Sequence, residues 1–120
     1  MILLLRLGKR RQFIRLDSME DYGLIKTILA GIYSVSTGYD EGDAIQALDH
    51  DIHHNQEFSD RFKRELKLAF YDPSVSWKDW FLEYEVYPFE DEDHAREYAV
   101  KILWNVAFKD QSAPRRSSGS

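Results

Sequence analysis

The chain has 120 residues, enough to bury one hydrophobic core and too few for two independent ones. It has no cysteine, which excludes disulfides, thiolate metal sites and cysteine nucleophiles, and its 43% hydrophobic content excludes a disordered acidic segment. No run approaches the roughly 18 apolar residues of a membrane span. We therefore expect one soluble, folded domain in the cytoplasm.

Charge is divided by position along the chain. Residues 1–16 contain five Lys and Arg and no acid, whereas residues 17–112 contain all 21 Asp and Glu against nine Lys and Arg, a net charge of 9 − 21 = −12. Such a body repels nucleic acid and anionic membranes, and it attracts basic proteins by steering that salt weakens. The composition favours a basic protein partner.

The pattern predicts three regions. Residues 1–16 form a basic leader, in which two apolar-rich runs around Gly8 predict either a β-hairpin or a mobile arm. Residues 17–110 form a single acidic globular domain. Residues 111–120 hold no large apolar side chain and are expected to be a disordered tail.

Two helices are predicted in the first half of the body. Ser18 and Asp21 are spaced like a capping box, Gly38 suits the following turn, and Asp40 is a good N-cap for the second helix. Apolar residues recur at helical spacing and define the core faces, Leu24, Ile25, Ile28, Leu29 and Ile32 in the first helix and Ala44, Ile45, Leu48 and Ile52 in the second.

A third helix and a short aromatic helix follow. Asn55 caps the third helix, and Asp72 before Pro73 ends it because a residue preceding proline avoids the helical region. Ser76 caps the short helix, whose tryptophans are expected to lie in the core. The apolar positions are Phe58, Phe62, Leu66, Ala69 and Phe70 in the third helix and Trp77, Trp80, Phe81 and Leu82 in the short one.

Residues 84–89 alternate in the manner of an edge strand, with Pro88 at the strand end. Acids at 90–93 open the last helix, which the pairs Glu92–Arg96 and Glu97–Lys101 are expected to stabilise. Its core face is Ala95, Tyr98, Ala99, Ile102, Leu103 and Val106. The fold class is therefore mainly α or α+β, a compact bundle of four to five helices with a short β element near 84–89.

One cluster suggests a metal site. His50 and His54 stand one helical turn apart, with His53 and Asp51 beside them, so a small metal-dependent enzyme or metal-binding protein is an alternative. However, the glutamate of the known i, i+4 zinc motif is absent, and histidines suit a helix C-terminus without metal. We therefore predict no metal, no cofactor and no catalytic residue.

Other activities have less support. No glycine-rich phosphate loop precedes a Lys-Ser or Lys-Thr pair, and no serine has the setting of a nucleophile elbow. The basic strip of the third helix is interrupted by Asp60 and Glu65. Nucleic-acid binding is not expected, because the acidic body opposes it.

A family resemblance enters over roughly residues 77–104. Three segments carry it: the tryptophan pair in Trp77-Lys-Asp-Trp80, the aromatic segment Tyr84-Glu-Val-Tyr-Pro-Phe89 with its acids to Asp93, and the run Tyr98 to Trp104. Together they resemble the C-terminal half of small immunity proteins of bacterial contact-dependent growth inhibition systems. The resemblance implies a cytoplasmic, non-enzymatic inhibitor of a toxin domain delivered by a neighbouring cell, with a nuclease as the expected toxin.

Nucleases bind a polyanion, so an acidic domain is suited to cover their basic cleft. Two acidic clusters, each with a tyrosine anchor, are candidate interfaces. They are Tyr39, Asp40, Glu41, Asp43, Asp49 and Asp51 on one side, and Tyr87, Glu90, Asp91, Glu92 and Asp93 on the other. The same surfaces also suit an acidic adaptor domain that binds another basic protein.

Overall fold

The computed structural model describes residues 22–114, and this part of the chain is mainly helical. Two of its helices pass without a break into π-helical turns. The elements are α1 (Gly23–Ile28) with its π turn Leu29–Tyr33, a 3-10 turn Val35–Thr37, α2 (Glu41–His54), α3 (Gln56–Tyr71), α4 (Trp77–Glu83), and α5 (Glu92–Ala99) with its π turn Val100–Trp104 and a last turn α6 (Asn105–Ala107).

Three predicted helix caps are confirmed. Asp40 accepts the Asp43 amide at 2.8 Å. Asn55 accepts the Phe58 amide at 3.0 Å, and the Ser76 hydroxyl accepts the Asp79 amide at 3.0 Å. α3 ends at Asp72 as expected, and Gly38 adopts a φ of 82° at the end of the 3-10 turn. These positions depend on short-range preferences that the sequence displays.

The start of α1 depends on a distant residue. Ser18 and Asp21 lie outside the described residues, and the helix begins at Gly23, after Tyr22 with a left-handed φ of 56°. The amides of Leu24 and Ile25 donate to Glu65 Oε1 on α3 at 3.0 and 3.2 Å. The Glu65 carboxylate on α3 therefore accepts the N-terminal amides of α1 in place of a local N-cap side chain.

The two helical ion pairs predicted along α5 do not form. Glu92 instead accepts the Trp77 amide at 2.7 Å and the Ser76 hydroxyl at 2.8 Å, so it caps α4. Arg96 donates to the carbonyls of Phe70 and Pro114. Lys101 pairs with Glu41 of α2 at 2.8 Å. Each of these contacts joins α5 to another part of the fold.

Residues 84–89 do not form the predicted strand. The amides of Val86 and Tyr87 both donate to the Phe81 carbonyl, at 2.8 and 3.3 Å, which folds the segment back onto the end of α4. Glu85 has a φ of 59° and its carbonyl accepts the Val35 amide at 2.8 Å. The part of the chain that the structure describes contains no strand for this segment to pair with. The other predicted β element, the hairpin at 1–16, lies outside the described residues.

The helices enclose one core. α3 packs against α1, α2 and α6, and α4 packs against α5. Trp77 is buried at 1% exposure, and Trp80 is half-buried against the same cluster. The Tyr33 hydroxyl donates to the Ile102 carbonyl at 2.6 Å and so links the two π turns. Packing extends past residue 110, because Trp104 Nε1 donates to the Gln111 carbonyl at 2.9 Å.

Candidate functional site

An open groove of about 540 Å³ lies between the segment 87–91 and the exposed side of α5. Its lining is aromatic on one wall and charged along its rim. The lining residues are Tyr87, Pro88, Phe89, Glu90, Asp91, His94, Glu97, Tyr98 and Lys101.

Three rings form the aromatic wall. The Tyr87 and Phe89 centroids are 4.6 Å apart, and those of Phe89 and Tyr98 are 5.4 Å apart. Phe81, which is fully buried, contacts Phe89 and Tyr98 at 5.7 Å each and ties the wall to the core. Tyr87 is 56% exposed at the outer edge. The aromatic wall is thus held in place by its contacts with the core, and its outer edge is accessible to a partner.

Acidic groups dominate the rim. Asp91 caps α5 by accepting the His94 amide at 2.8 Å, and its other oxygen lies 2.8 Å from His94 Nδ1. The backbone hydrogen bond from His94 holds the pKa of Asp91 below its ordinary value, and the hydrogen bond to Asp91 raises the pKa of His94. Glu90 and Glu97 make no ion pair within residues 22–114. Their charge is available to a partner.

Glu41 brings the start of α2 to the end of this groove. Its carboxylate accepts the Tyr98 hydroxyl at 2.9 Å and the Lys101 ammonium at 2.8 Å. The hydrogen bond from Lys101 lowers the pKa of Glu41, and burial raises the pKa of Tyr98, which remains a donor. The Val35 amide donates to the Glu85 carbonyl, so the 3-10 turn before α2 contacts the segment that leads into the groove.

The structure therefore joins most of the two predicted clusters into one surface. We call this surface the acidic face. It consists of the groove residues Tyr87, Glu90, Asp91 and Glu97, of Glu41, which contacts Tyr98 and Lys101 in the groove, and of Tyr39, Asp40 and Asp43, which adjoin Glu41 at the start of α2.

Four predicted interface residues lie outside the acidic face. Asp49 pairs with Lys109 at 2.9 Å, and this contact lowers the pKa of Asp49. Asp51 lies 3.7 Å from His50 on the exposed side of α2. Glu92 is engaged in capping α4, and Asp93 does not line the groove. The structure gives Asp49 and Glu92 contacts within the fold.

Several groove residues were not predicted. Phe89 and His94 carried no signal of their own, and Tyr98 was counted only as part of the core face of its helix. Glu97 and Lys101 were assigned to each other, whereas Lys101 pairs across the molecule with Glu41. The contacts that Tyr98 and Lys101 make with Glu41 of α2 identify those two residues, and no short-range pattern reports such contacts.

The basic residues of α3 have contacts elsewhere. Arg61 pairs with Glu65 at 2.9 Å. The ammonium groups of Lys63 and Lys67 lie 6.0 and 5.3 Å from the Phe108 ring centre, beside α6. None of these side chains lines the groove. The cations that do act on the acidic face are Lys101, which pairs with Glu41, and Lys78, whose charge contributes to the lowered pKa of Asp91.

The histidines of α2 contact the backbone of the last turns of their own helix. The His50 and His54 rings stack at 4.0 Å, and Nδ1 of His54 is 2.8 Å from the His50 carbonyl oxygen. Nδ1 of His53 is 2.9 Å from the Asp49 carbonyl oxygen. Among the described side chains, no three His, Asp or Glu groups converge in the way that a metal ion requires.

None of the helices within residues 22–114 has both the length and the apolar character needed to cross a membrane. No protein-family model, curated protein or solved structure matches this chain.

Proposed function

We propose that this chain is an immunity protein, a non-enzymatic inhibitor that binds a cognate bacterial toxin domain and covers its basic cleft with the acidic face. The observation that carries the proposal is that Glu90 and Glu97 line the groove without an ion pair beside the exposed ring of Tyr87, while Glu41 links the groove to Asp43 and the exposed Tyr39 at the start of α2. The resemblance over residues 77–104 supports the toxin class, with a nuclease as the toxin.

Electrostatics supports a basic partner. The acidic face with Lys101 carries six carboxylates against one ammonium, a net charge of 1 − 6 = −5 with His94 neutral. A nuclease cleft is positive because it binds a polyanion, and complementary charge raises association rates to about 10⁸ M⁻¹s⁻¹ or more at low salt. The charge selects the class of partner, and salt is expected to slow the encounter.

Apolar groups beside the charge supply the anchor. Tyr39 and Tyr87 are 51% and 56% exposed, and tyrosine is enriched among residues that dominate binding energy. Val35 is 69% exposed and Leu82 is 62% exposed, and both adjoin Glu85 through backbone hydrogen bonds. An exposed apolar group next to a charged rim is typical of a protein interface.

The cellular setting follows from the proposed target. A nuclease toxin acts on nucleic acid inside the cell, so its inhibitor belongs in the cytoplasm, where a chain without cysteine needs no oxidising environment. We propose that the protein acts there by binding alone and consumes no substrate.

The test compares two double charge reversals of equal size. Asp43→Lys with Glu90→Lys changes the acidic face, whereas Asp51→Lys with Glu57→Lys makes the same change in net charge elsewhere. We expect the first variant to associate with the toxin domain at least about tenfold more slowly at low salt, and the second to change the rate less than about threefold.

Thermal unfolding of each variant checks that it remains folded. Equal slowing by the two variants would mean that only net charge matters, and unchanged binding by both would rule out the acidic face. A bound basic protein without toxic activity would favour an adaptor.

A further inference from the structure

We propose that the groove is a receptor for a single arginine side chain of the partner. This inference rests on the proposed function, because it names the group on a basic protein that the acidic face recognises. The guanidinium would lie against the rings of Tyr87, Phe89 and Tyr98 and pair with the carboxylates of Glu90 and Glu97.

The shape of the aromatic wall suits a planar cation. The Tyr87 and Phe89 rings meet at 55°, the Phe89 and Tyr98 rings meet at 48°, and all three residues line the groove. A cation within about 6 Å of such ring centres is attracted by their π systems. The volume of about 540 Å³ lies within the range of about 300–1,000 Å³ of small-ligand sites.

The charges of the groove match the same ligand. Glu90 and Glu97 have no ion pair within the described chain, and the Lys101 ammonium is held by Glu41 at 2.8 Å. An anion would meet Glu90, Asp91 and Glu97 together, so a phosphate or carboxylate ligand is disfavoured. Arginine is preferred over lysine because its planar guanidinium both stacks on rings and forms two parallel hydrogen bonds to a carboxylate.

The molecule already uses this chemistry within its own fold. The guanidinium carbon of Arg96 lies 4.9 Å from the centre of the Phe70 ring, while its nitrogen donates to the carbonyls of Phe70 and Pro114. The groove offers rings and acceptors of the same kind to an arginine from outside.

The test is an NMR titration of the whole chain with N-acetyl-L-arginine amide. The neutral isostere N-acetyl-L-citrulline amide and the flexible cation N-acetyl-L-lysine amide serve as matched probes. We expect saturable shifts confined to residues 87–101 with arginine, at a dissociation constant on the order of 10 mM, and much smaller shifts with the other two probes.

Variants locate the site. Tyr87→Ala with Glu97→Gln should weaken arginine binding at least about fivefold, the combined loss of a ring contact and a charge pair. Tyr39→Ala with Asp43→Asn, on the acidic face but outside the groove, should change it less than about twofold. Absence of saturation, equal shifts with citrulline or lysine, or indifference to the groove variant would each overturn the proposal.

The titration separates this inference from the proposed function because it uses no toxin. If arginine fails to bind while the acidic-face reversal still slows toxin association, only the arginine receptor is wrong. If arginine binds and no toxin is found, the receptor stands and the immunity function falls.

Discussion

Glu65 shows how a single side chain determines where a helix begins. It is 9% exposed, and one of its oxygens accepts the first amides of α1 while the other accepts Arg61 Nε at 2.9 Å. A buried carboxylate with these three donors is satisfied, and the negative charge lies at the positive end of the α1 dipole.

Substituting Glu65→Gln is expected to lower the free energy of unfolding by about 1–3 kcal/mol, because a charged acceptor is lost and Arg61 is left without its partner. Urea denaturation followed by circular dichroism measures this change. The control Glu57→Gln, an exposed carboxylate in the first turn of α3, should cost no more than about 0.5 kcal/mol. Equal losses in the two variants would contradict the capping role.

Asp91 and His94 favour each other's charged forms. The pKa of His94 is raised above 6.5 by the Asp91 carboxylate, so its contribution to stability is full below pH 6.5 and is lost as the pH rises through the raised value. The pKa of Asp91 is lowered below 3.8, so its contribution is present above pH 3.8 and is lost as the pH falls through the lowered value.

This coupling predicts a change in titration. In Asp91→Asn, the midpoint of the His94 imidazole titration should fall from its raised position toward 6.5, because the hydrogen-bonded carboxylate is gone. NMR of the ring protons reports the midpoint directly. Glu90→Gln, which removes a neighbouring carboxylate without removing that hydrogen bond, should move it less, and a midpoint unchanged by Asp91→Asn would disprove the pairing.

Among the helices, the sequence predicts the capping hydrogen bonds between neighbouring residues but not those between residues far apart in the chain. Asp40, Asn55 and Ser76 each accept an amide three residues away, so their sequence pattern contained the whole interaction. Glu65 and Glu92 cap helices by accepting amides that are 41 and 15 residues away. No local pattern distinguishes such a carboxylate from one that forms an ordinary pair on its own helix, which is worth only about 0.3–0.5 kcal/mol.

The failed strand at 84–89 has a similar cause. The alternation that predicted it is real, since Val86 is buried at 8% exposure and Tyr87 is 56% exposed. Alternation reports only which side chains face the core, and a strand also needs a neighbouring strand for its amides. Here the Phe81 carbonyl accepts two of those amides, and the segment becomes one wall of the groove.

Glu92 couples α5 to α4, and its removal should loosen the start of α4. In Glu92→Ala, we expect the amides of Trp77 and Lys78 to exchange faster with solvent, because both face the Glu92 carboxylate, at 2.7 and 3.4 Å. Hydrogen exchange measured by NMR tests this. Glu90→Ala should leave both exchange rates unchanged, and the same result for Glu92→Ala would contradict the cap.

For the protein as a whole, the sequence predicts most residues of the candidate site but does not predict that they form one surface. Tyr39 and Tyr87 with their neighbouring acids were assigned to two separate surfaces. The hydrogen bond from Tyr98 to Glu41 at 2.9 Å brings those surfaces together, and it depends on how α2 lies against α5. The same packing gives Asp49 a partner in Lys109, which an exposed carboxylate counted from sequence alone does not reveal.

The proposed immunity function requires that this chain inhibit a basic toxin through direct binding. The most direct test is to capture its partner from a lysate of the source organism at low salt, and then to titrate the nuclease activity of that partner with the purified chain. We expect to capture a basic protein that is released as salt is raised, and whose nuclease activity is abolished at equimolar chain. Failure to capture a partner at low salt, or a captured protein that the chain leaves fully active or that has no nuclease activity, would contradict it.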